Sequence, residues 1–383
     1  MELFMSQIKL RLENERLSTS TNKYRFLFAG GGTGGHLFPA VAVAEQIKEM
    51  KPEADILFIG RKDKIEGRLV PNLGYKFKSI WIKGFSRRIS FENILFPLQL
   101  FVSMIQSLVI NISFKPNVAI GSGGYVAGPS VWAASVMGAR IILLEQNSYP
   151  GVTTRLLERY AHEVHLSFKE SKKYLRKEKI QYLTGNPVRK NLGVMDKSEA
   201  LNVFGLSGEK KTLLVLGGSL GAKTINEAVS QNMNLLITNN IQLIWQTGQN
   251  YYEQFKGMNS ETVKVFDFLD DMNAAYSACD LLLARAGATT IAELLNLGIP
   301  AVLVPSPNVA ENHQYYNAKS LSDNEAAILI EDNNLKLELP EKVLDTLSSE
   351  SFLNKLKTNA LNMAKPDAAK VIAKNAIKFA ETV

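Results

Sequence analysis

Tyr24-Arg-Phe-Leu-Phe-Ala-Gly30-Gly-Gly-Thr-Gly-Gly35-His36, running on into Leu37-Phe-Pro39-Ala-Val-Ala-Val-Ala, is an apolar strand, a glycine-rich turn and a helix in immediate succession. The order recurs at Thr212-Leu-Leu-Val-Leu-Gly217-Gly218-Ser219-Leu-Gly221-Ala222, followed by Lys223-Thr-Ile-Asn-Glu-Ala-Val with helical periodicity. Glycines let backbone N–H groups approach an anion closely, and the helix start behind them adds unpaired donors and a favourable dipole. Two such units, about 190 residues apart, predict two similar domains that face one phosphate-bearing set of ligands.

The surrounding sequence keeps the same rhythm. Strand-like runs at 24–30, 55–60, 117–121, 140–145 and 163–168 alternate with helical stretches, the first helix near 39–50, and the pattern restarts at 212–216, 242–246, 262–266, 281–284 and 300–305. Near-continuous apolar strands separated by helices predict α/β domains with doubly wound parallel sheets, covered on both faces. Gly185 and Pro187 punctuate Thr184-Gly-Asn-Pro-Val-Arg189 and place a domain boundary there. Residues 366–379 read as one amphipathic helix at the C-terminal end.

A chain of 383 residues with 46% hydrophobic and 21% charged side chains can bury two cores and is neither disordered nor fibrous. The single cysteine, Cys279, leaves no intramolecular disulfide and no cysteine-rich zinc site, which suits a reducing compartment. Residues 1–22 carry charges throughout with no apolar core, so they read as an N-terminal extension rather than a secretory signal. Charge is divided unevenly: 27 basic and 15 acidic side chains in 1–189 against 17 and 22 in 190–383. The first half is therefore expected to meet something anionic. No aromatic-interleaved basic strand or recognition-helix pattern points to nucleic acid, and a membrane surface or a phosphorylated substrate is the better match.

Residues 93–110 are the most apolar stretch. Apolar positions 94, 95, 98, 101, 102, 105, 108 and 109 share one helical face and polar positions 99, 103 and 106 the other, so a half-buried helix is expected rather than a membrane span. Just before it, Lys83, Arg87 and Arg88 interleave with Phe85, Ile89, Phe91 and Phe96. That segment reads either as an ordinary loop with core aromatics or as an interfacial membrane patch.

Each motif admits more than one chemistry. Gly30-x-Gly32-x-x-Gly35 satisfies the dinucleotide fingerprint, but the second strand ends in Gly60-Arg61-Lys62 where an acid should hold a ribose, leaving only an NADP reading through Arg61. Gly217-Gly-Ser219-Leu-Gly221 satisfies the nucleophile elbow of serine hydrolases, with His313 downstream, yet no oxyanion-hole motif precedes it; as a phosphate loop, Ser219 need only donate its hydroxyl to a diphosphate. Ala284-Arg-Ala-Gly287-Ala288-Thr289-Thr290-Ile291-Ala292-Glu293 is a third strand-to-helix turn, whose Glu293 can cap free N–H groups or bind a ribose diol. Asp270 and Asp271 form no D-x-D triplet and read as helix caps; His162 and His165 read as structural.

Taken together, Gly31-Gly-Thr-Gly-Gly-His36, Gly121-Ser-Gly-Gly-Tyr-Val-Ala-Gly-Pro129, Glu145-Gln-Asn147, Gly185-Asn-Pro-Val-Arg189, Gly217-Gly-Ser-Leu-Gly-Ala222, Arg285-Ala-Gly-Ala288 through Glu293 and His313-Gln314 ahead of Asn317-Ala318 resemble the MurG family of bacterial N-acetylglucosaminyltransferases over 23–380. The resemblance implies the GT-B architecture, two Rossmann-like domains with a cleft between them. It divides the chain into residues 23–188, an acceptor- and membrane-binding domain completed by a C-terminal helix at 362–383, and residues 189–361, a UDP-sugar domain. It implies a UDP-N-acetylglucosamine donor, a lipid-linked muramoyl-pentapeptide acceptor, peripheral attachment to the inner leaflet of the cytoplasmic membrane, and other cell-wall synthesis proteins as partners, with no nucleic acid, metal or organic cofactor.

Carried over by matching position, Thr33, Gly34, Gly35, Asn147, Arg189, Ser219, Leu269, Ala288, Thr289, Thr290, Ile291, Ala292, Glu293 and Gln314 would contact the donor, with Glu293 on the ribose, Ser219 and the helix start at Ala288 on the diphosphate, and Gln314 on the sugar. Gly31, Gly32, Gly123, Gly124 and Tyr125 would take the acceptor diphosphate. The family often has a histidine where this chain has Leu144, and some members have Gln-Gln in place of His313-Gln314. An α-linked donor and a β-linked product imply a single in-line displacement, which needs a base on the acceptor hydroxyl and positive potential on the leaving diphosphate. An imidazole suits that role at neutral pH, which points to His36, with Glu145 as the second candidate.

Overall fold

The computed structural model describes residues 24–84, 91–176, 178–190, 192–218, 220–309 and 312–382, apart from the side chains of 91–94. Every apolar run expected to be a strand is one, and all strands pair in parallel. The first sheet contains β1 (Arg25–Gly30), β2 (Asp55–Gly60), β3 (Lys76–Ser79), β4 (Val118–Gly123), β5 (Arg140–Glu145), β6 (Glu163–Leu166) and β7 (Ile180–Leu183), in the order β3-β2-β1-β4-β5-β6-β7. The second contains β8 (Lys211–Leu216), β9 (Ile241–Gln246), β10 (Val263–Phe266), β11 (Leu281–Arg285), β12 (Ala301–Val304) and β13 (Ile328–Leu329), in the order β10-β9-β8-β11-β12-β13. Both are doubly wound. Each reverses direction at one point, between β1 and β4 in the first and between β8 and β11 in the second. Ligands of open parallel sheets bind outside the carboxyl ends of the strands at such reversals, and the glycine-rich turns leave β1, β4, β8 and β11 at those ends.

Strands β3, β7 and β13 are not legible in the sequence. Each is an outermost strand of two to four residues, and β3 (Lys-Phe-Lys-Ser) and β7 (Ile-Gln-Tyr-Leu) are largely exposed. An edge strand has one paired side and tolerates polar residues, so it lacks the apolar run that marks a central strand. The first helix spans Gly34–Met50 rather than starting near 39. Pro39 lies inside it and, having no N–H, cannot bond back to the carbonyl of Gly35.

Each sheet is sandwiched between two apolar layers. Phe26, Phe28 and Phe58 pack on one face of the first, Leu27, Ile59 and Ile141 on the other. The C-terminal helix, Ala368–Glu381, crosses back from the second sheet and lies on the helix Gly34–Met50, placing Ile372, Ala373 and Ala376 in the core of the first.

The helix Phe91–Phe114 has one face buried and one exposed, in line with its two-faced periodicity, and the buried face is the polar one. Its polar stripe is buried, with Gln99, Ser103, Ser107 and Asn111 all within the protein, and its apolar face is turned out: Leu98 is 52%, Phe101 61% and Val109 61% exposed. This helix packs against the helix Ala127–Val136, whose buried residues include the small Ala127, Ser130, Ala133 and Ala134. Ser103 and Asn111 donate to carbonyls of their own helix, Leu100 at 2.7 Å and Ser107 at 2.8 Å, while Oγ of Ser107 and Oδ1 of Asn111 are buried without a hydrogen-bond partner. The basic and aromatic patch Phe85, Arg87, Arg88, Ile89 lies outside the described residues, as does the side chain of Phe91.

Candidate active site

Loops after β1 and β4 meet at His36. Its Nδ1 lies 3.0 Å from the carbonyl of Ser122 and 3.2 Å from Oε1 of Gln146. A carbonyl only accepts, so Nδ1 carries a proton, and the neutral ring has its lone pair on Nε2. Gly123 (φ +101°) and Gly124 (φ +77°) must be glycine: a Cβ at the first would sit 2.7 Å from the imidazole, at the second 2.6 Å from the carbonyl of Gly31. Tyr125, next in the loop, is exposed.

Beneath the first loop lies a residue that sequence reading missed. Glu66 is buried and accepts from the backbone of Gly32 at 2.9 Å and of Arg61 at 3.0 Å, and a Cβ on Gly31 would run into its carboxylate at 2.4 Å. The N–H of Gly32, expected to face a phosphate, therefore belongs to Glu66, and Gly31 is buried. Thr33 is exposed, Gly34 and Gly35 are half-buried, and the helix starting at Gly34 has first-turn N–H groups without intrahelical partners. The only sequence clue to Glu66 is its position six residues after the end of β2 at Gly60.

Glu145 ends β5 and is buried. One oxygen accepts from the backbone of Asn147 and the other from that of Gly151, each at 3.0 Å, which wraps the loop 146–151 around the carboxylate. Burial pushes its pKa up, against hydrogen bonds from Thr154, Asn147 and Gly151 and the nearby His36 that pull it down. Asn147 is half-buried, its carbonyl accepting from Ser171 at 2.7 Å.

Across the cleft, the loop after β8 carries Gly218 and Gly221 at positive φ; Ser219 lies outside the described residues. Gln246 ties this loop to the next, donating to the carbonyl of Gly218 at 3.1 Å and accepting from the backbone of Leu269 at 2.9 Å, so Leu269 is buried and its N–H committed. The helix Ala288–Leu297 starts after Gly287, with Thr289 and Thr290 half-buried and Ala288, Ile291 and Ala292 buried. This start faces the other domain's helix start: a Cβ on Gly35 would lie 4.0 Å from Oγ1 of Thr289. Two positive helix termini thus converge on one spot.

Glu293 is not a cap. It accepts from the hydroxyl of Tyr276 at 2.7 Å and lies 3.6 Å from the guanidinium of Arg189, which itself stacks over Phe38 of the first domain at 4.4 Å. Burial raises the pKa of Glu293, opposed by Tyr276 and Arg189, and burial likewise pushes the phenol of Tyr276 up. Gln314, near the start of the helix His313–Asp323, accepts from the backbone of Ser306 at 2.9 Å and retains its amide donors. One turn on, Asn317 is buried and bonded to Ser148 of the first domain.

Asp271 caps the helix Met272–Ala278 through the backbone of Ala274 at 2.9 Å, as expected. His162 accepts from the backbone of Ile141 and His165 stacks on Tyr182, both structural. Arg61, the residue on which an NADP reading depended, is paired with Asp63. Among the described residues no three His, Cys, Asp or Glu side chains cluster to hold a metal.

Residues 26–166 match the glycosyltransferase family 28 N-terminal domain and residues 212–372 its C-terminal domain. A protein of Cytophaga hutchinsonii is 42% identical over 361 residues, 94% of this chain and 98% of its own. One from Bacteroides thetaiotaomicron is 42% identical over 369 residues, 93% of this chain and 98% of its own. Both are named UDP-N-acetylglucosamine--N-acetylmuramyl-(pentapeptide) pyrophosphoryl-undecaprenol N-acetylglucosamine transferase. The crystal structure of Acinetobacter baumannii MurG superposes with a TM-score of 0.72 at 28% identity, over 92% of this chain and 99% of that one. A UDP co-structure of Staphylococcus aureus MnaA, 13% identical with a TM-score of 0.67, shares the fold. With both domain models matched in order and relatives aligned nearly end to end, the chain belongs to the MurG family of glycosyltransferases.

Proposed function

We infer that the chain is an N-acetylglucosaminyltransferase that moves the sugar from UDP-N-acetylglucosamine to the 4-hydroxyl of undecaprenyl-diphospho-N-acetylmuramoyl-pentapeptide, giving lipid II for peptidoglycan. The observation that carries the reading is the meeting of two helix starts, at Gly35 and Thr289, beside an imidazole whose Nδ1 is fixed by a carbonyl. Charge develops on the leaving diphosphate as the sugar bond breaks. Fixed N–H dipoles aimed at that charge lower the barrier without reorganising.

In our assignment, residues 23–188 with the C-terminal helix form the acceptor domain and 189–361 the donor domain. Glu293, held by Tyr276 and Arg189, receives the ribose diol; Ser219 and the amides at 288–290 take the donor diphosphate; Gln314 offers its free amide to the sugar. Thr33, Gly34 and Gly35, at the helix start that meets Thr289, also contact the donor, and the loop 123–125 takes the acceptor diphosphate, which Gly31 and Gly32 serve indirectly, through the bracing by Glu66. His36 is the base: Nε2 accepts the proton of the attacking hydroxyl as that oxygen bonds to the anomeric carbon and UDP departs. Glu145, with one backbone donor on each oxygen, positions the loop instead.

We assign the membrane contact to the helix Phe91–Phe114. It is long and apolar enough to cross a membrane, but its buried polar stripe fixes it to the protein, so its outward face, carrying Leu98, Phe101, Ile105 and Val109, suits lying on a bilayer at the cytoplasmic side, where the acceptor is anchored. Transfer of radiolabelled sugar from UDP-N-acetylglucosamine to a short-chain acceptor analogue tests the whole reading. Labelled disaccharide product is expected, and its absence with folded protein would end the proposal.

A further inference from the structure

Residues 146 and 148, two positions apart in one loop, reach opposite sides of the cleft. Gln146 meets His36, and also donates to the carbonyl of Leu144 at 3.2 Å. Ser148 crosses to the second domain, where its backbone N–H and its hydroxyl both donate to Oδ1 of Asn317, at 3.0 and 2.9 Å. The amide of Asn317 donates in turn to the carbonyl of Ala286 at 3.4 Å, two residues before the helix that starts at Ala288. Ser148 and Asn317 are both fully enclosed, and the loop between them and His36 is stiffened by Glu145 and Ser171.

A buried amide with a partner on each end is favourable only while those partners are in place. Here one set of partners belongs to each domain, so the bonds exist only in one mutual arrangement of the two. We propose that Asn317, through Ser148, is a positioning residue that couples the donor-binding helix start to the base: closing the Asn317–Ser148 contact sets loop 146–151, and with it Gln146 and the imidazole of His36. The inference rests on the donor and acceptor sides assigned above. Neither residue needs to touch substrate.

The full chain with Asn317→Ala, Ser148→Ala and both together is assayed with UDP-N-acetylglucosamine and a water-soluble acceptor, alongside calorimetric titration with UDP. Misplacing a reacting group by about 1 Å costs roughly 100-fold in rate, so Asn317→Ala is expected to lose about 10- to 100-fold in kcat while UDP affinity stays within about threefold. Ser148→Ala, which keeps the backbone bond, should lose less. The double variant should be no slower than Asn317→Ala alone, because both act through one contact. Small-angle scattering with UDP present should find Asn317→Ala more open than the parent. A wild-type kcat in both single variants, losses that multiply in the double variant, or UDP affinity falling in step with kcat would overturn the coupling; if Asn317→Ala fails to fold, Ser148→Ala with its scattering decides. Parent protein that neither binds UDP nor transfers sugar would instead sink the functional reading.

Discussion

The two sheets share a topology and a kind of turn, yet the turns are filled differently. After β1 the loop is braced from below by a buried carboxylate, and its helix opens with an imidazole. After β11 the helix opens with small residues and threonines, and its carboxylate, Glu293, sits one turn further along against Tyr276 and Arg189. Outside, the contrast continues: the first domain turns an apolar helix face to solvent, whereas the second domain's helix Lys223–Thr238 buries Ile225, Val229 and Leu236. One scaffold thus separates labour by what is placed at the carboxyl ends of its strands. In the assignment proposed above, the first domain handles the proton and the lipid and the second holds the nucleotide.

That division predicts that variants on the two sides leave different signatures, the largest at His36. Removing a general base costs about 10²- to 10⁴-fold, so His36→Ala should lower turnover by that much with little change in donor affinity, and His36→Asn should be nearly as slow. Full turnover in the asparagine variant would reduce His36 to a diphosphate contact and blur the contrast between the domains. Next in size is the outward helix face. Replacing Phe101, Ile105 and Val109 with serine forfeits about 1 kcal/mol of apolar transfer each, so vesicle co-sedimentation should fall roughly 100-fold while turnover on a water-soluble acceptor is unchanged. Vesicle binding that survives would show the face to be inert.

The smallest effect belongs to the second domain. Glu293→Gln removes an acceptor for a ribose diol, worth about 1 to 3 kcal/mol, and should raise the donor Michaelis constant roughly 5- to 150-fold with kcat for saturated enzyme little altered. An unchanged constant would break the ribose assignment. The same substitution carries a stability signature of fixed sign. Burial holds the folded-state pKa of Glu293 above its ordinary 4.5, so between those values the folded protein binds the proton that the unfolded chain has released. Stability from this group therefore declines as pH rises through that window, and Glu293→Gln should flatten the decline and melt higher than the parent at neutral pH. Thermal melts at a series of pH values check it.

Much of this was legible in the residues. Central strands announce themselves because both their faces are covered, and the strand-turn-helix order at Gly30–Gly35 and Gly217–Gly221 follows from what only glycine can do. Edge strands such as Lys76–Ser79 do not, since half their surroundings is water. For the helix Phe91–Phe114 periodicity identifies two faces without saying which one the protein buries, and here the buried one carries Ser103 and Ser107. Glu66, and the bond that Asn317 makes to Ser148, are not legible for a different reason. Their partners lie 34 and 169 residues away, and no local pattern encodes a contact that exists only after the chain has folded back.

The C-terminal helix has a consequence for synthesis. Ile372, Ala373 and Ala376 fill the core of the domain whose first strand begins at Arg25, so the earliest strands to leave the ribosome wait for the last helix before their apolar face is covered. The second domain has all of its strands by Leu329 and can close its sheet while the first is still short of its lid. Nascent chains lacking the final residues should therefore hold a finished second domain attached to a first domain that is sticky and slow to settle, a state in which premature release favours aggregation over activity.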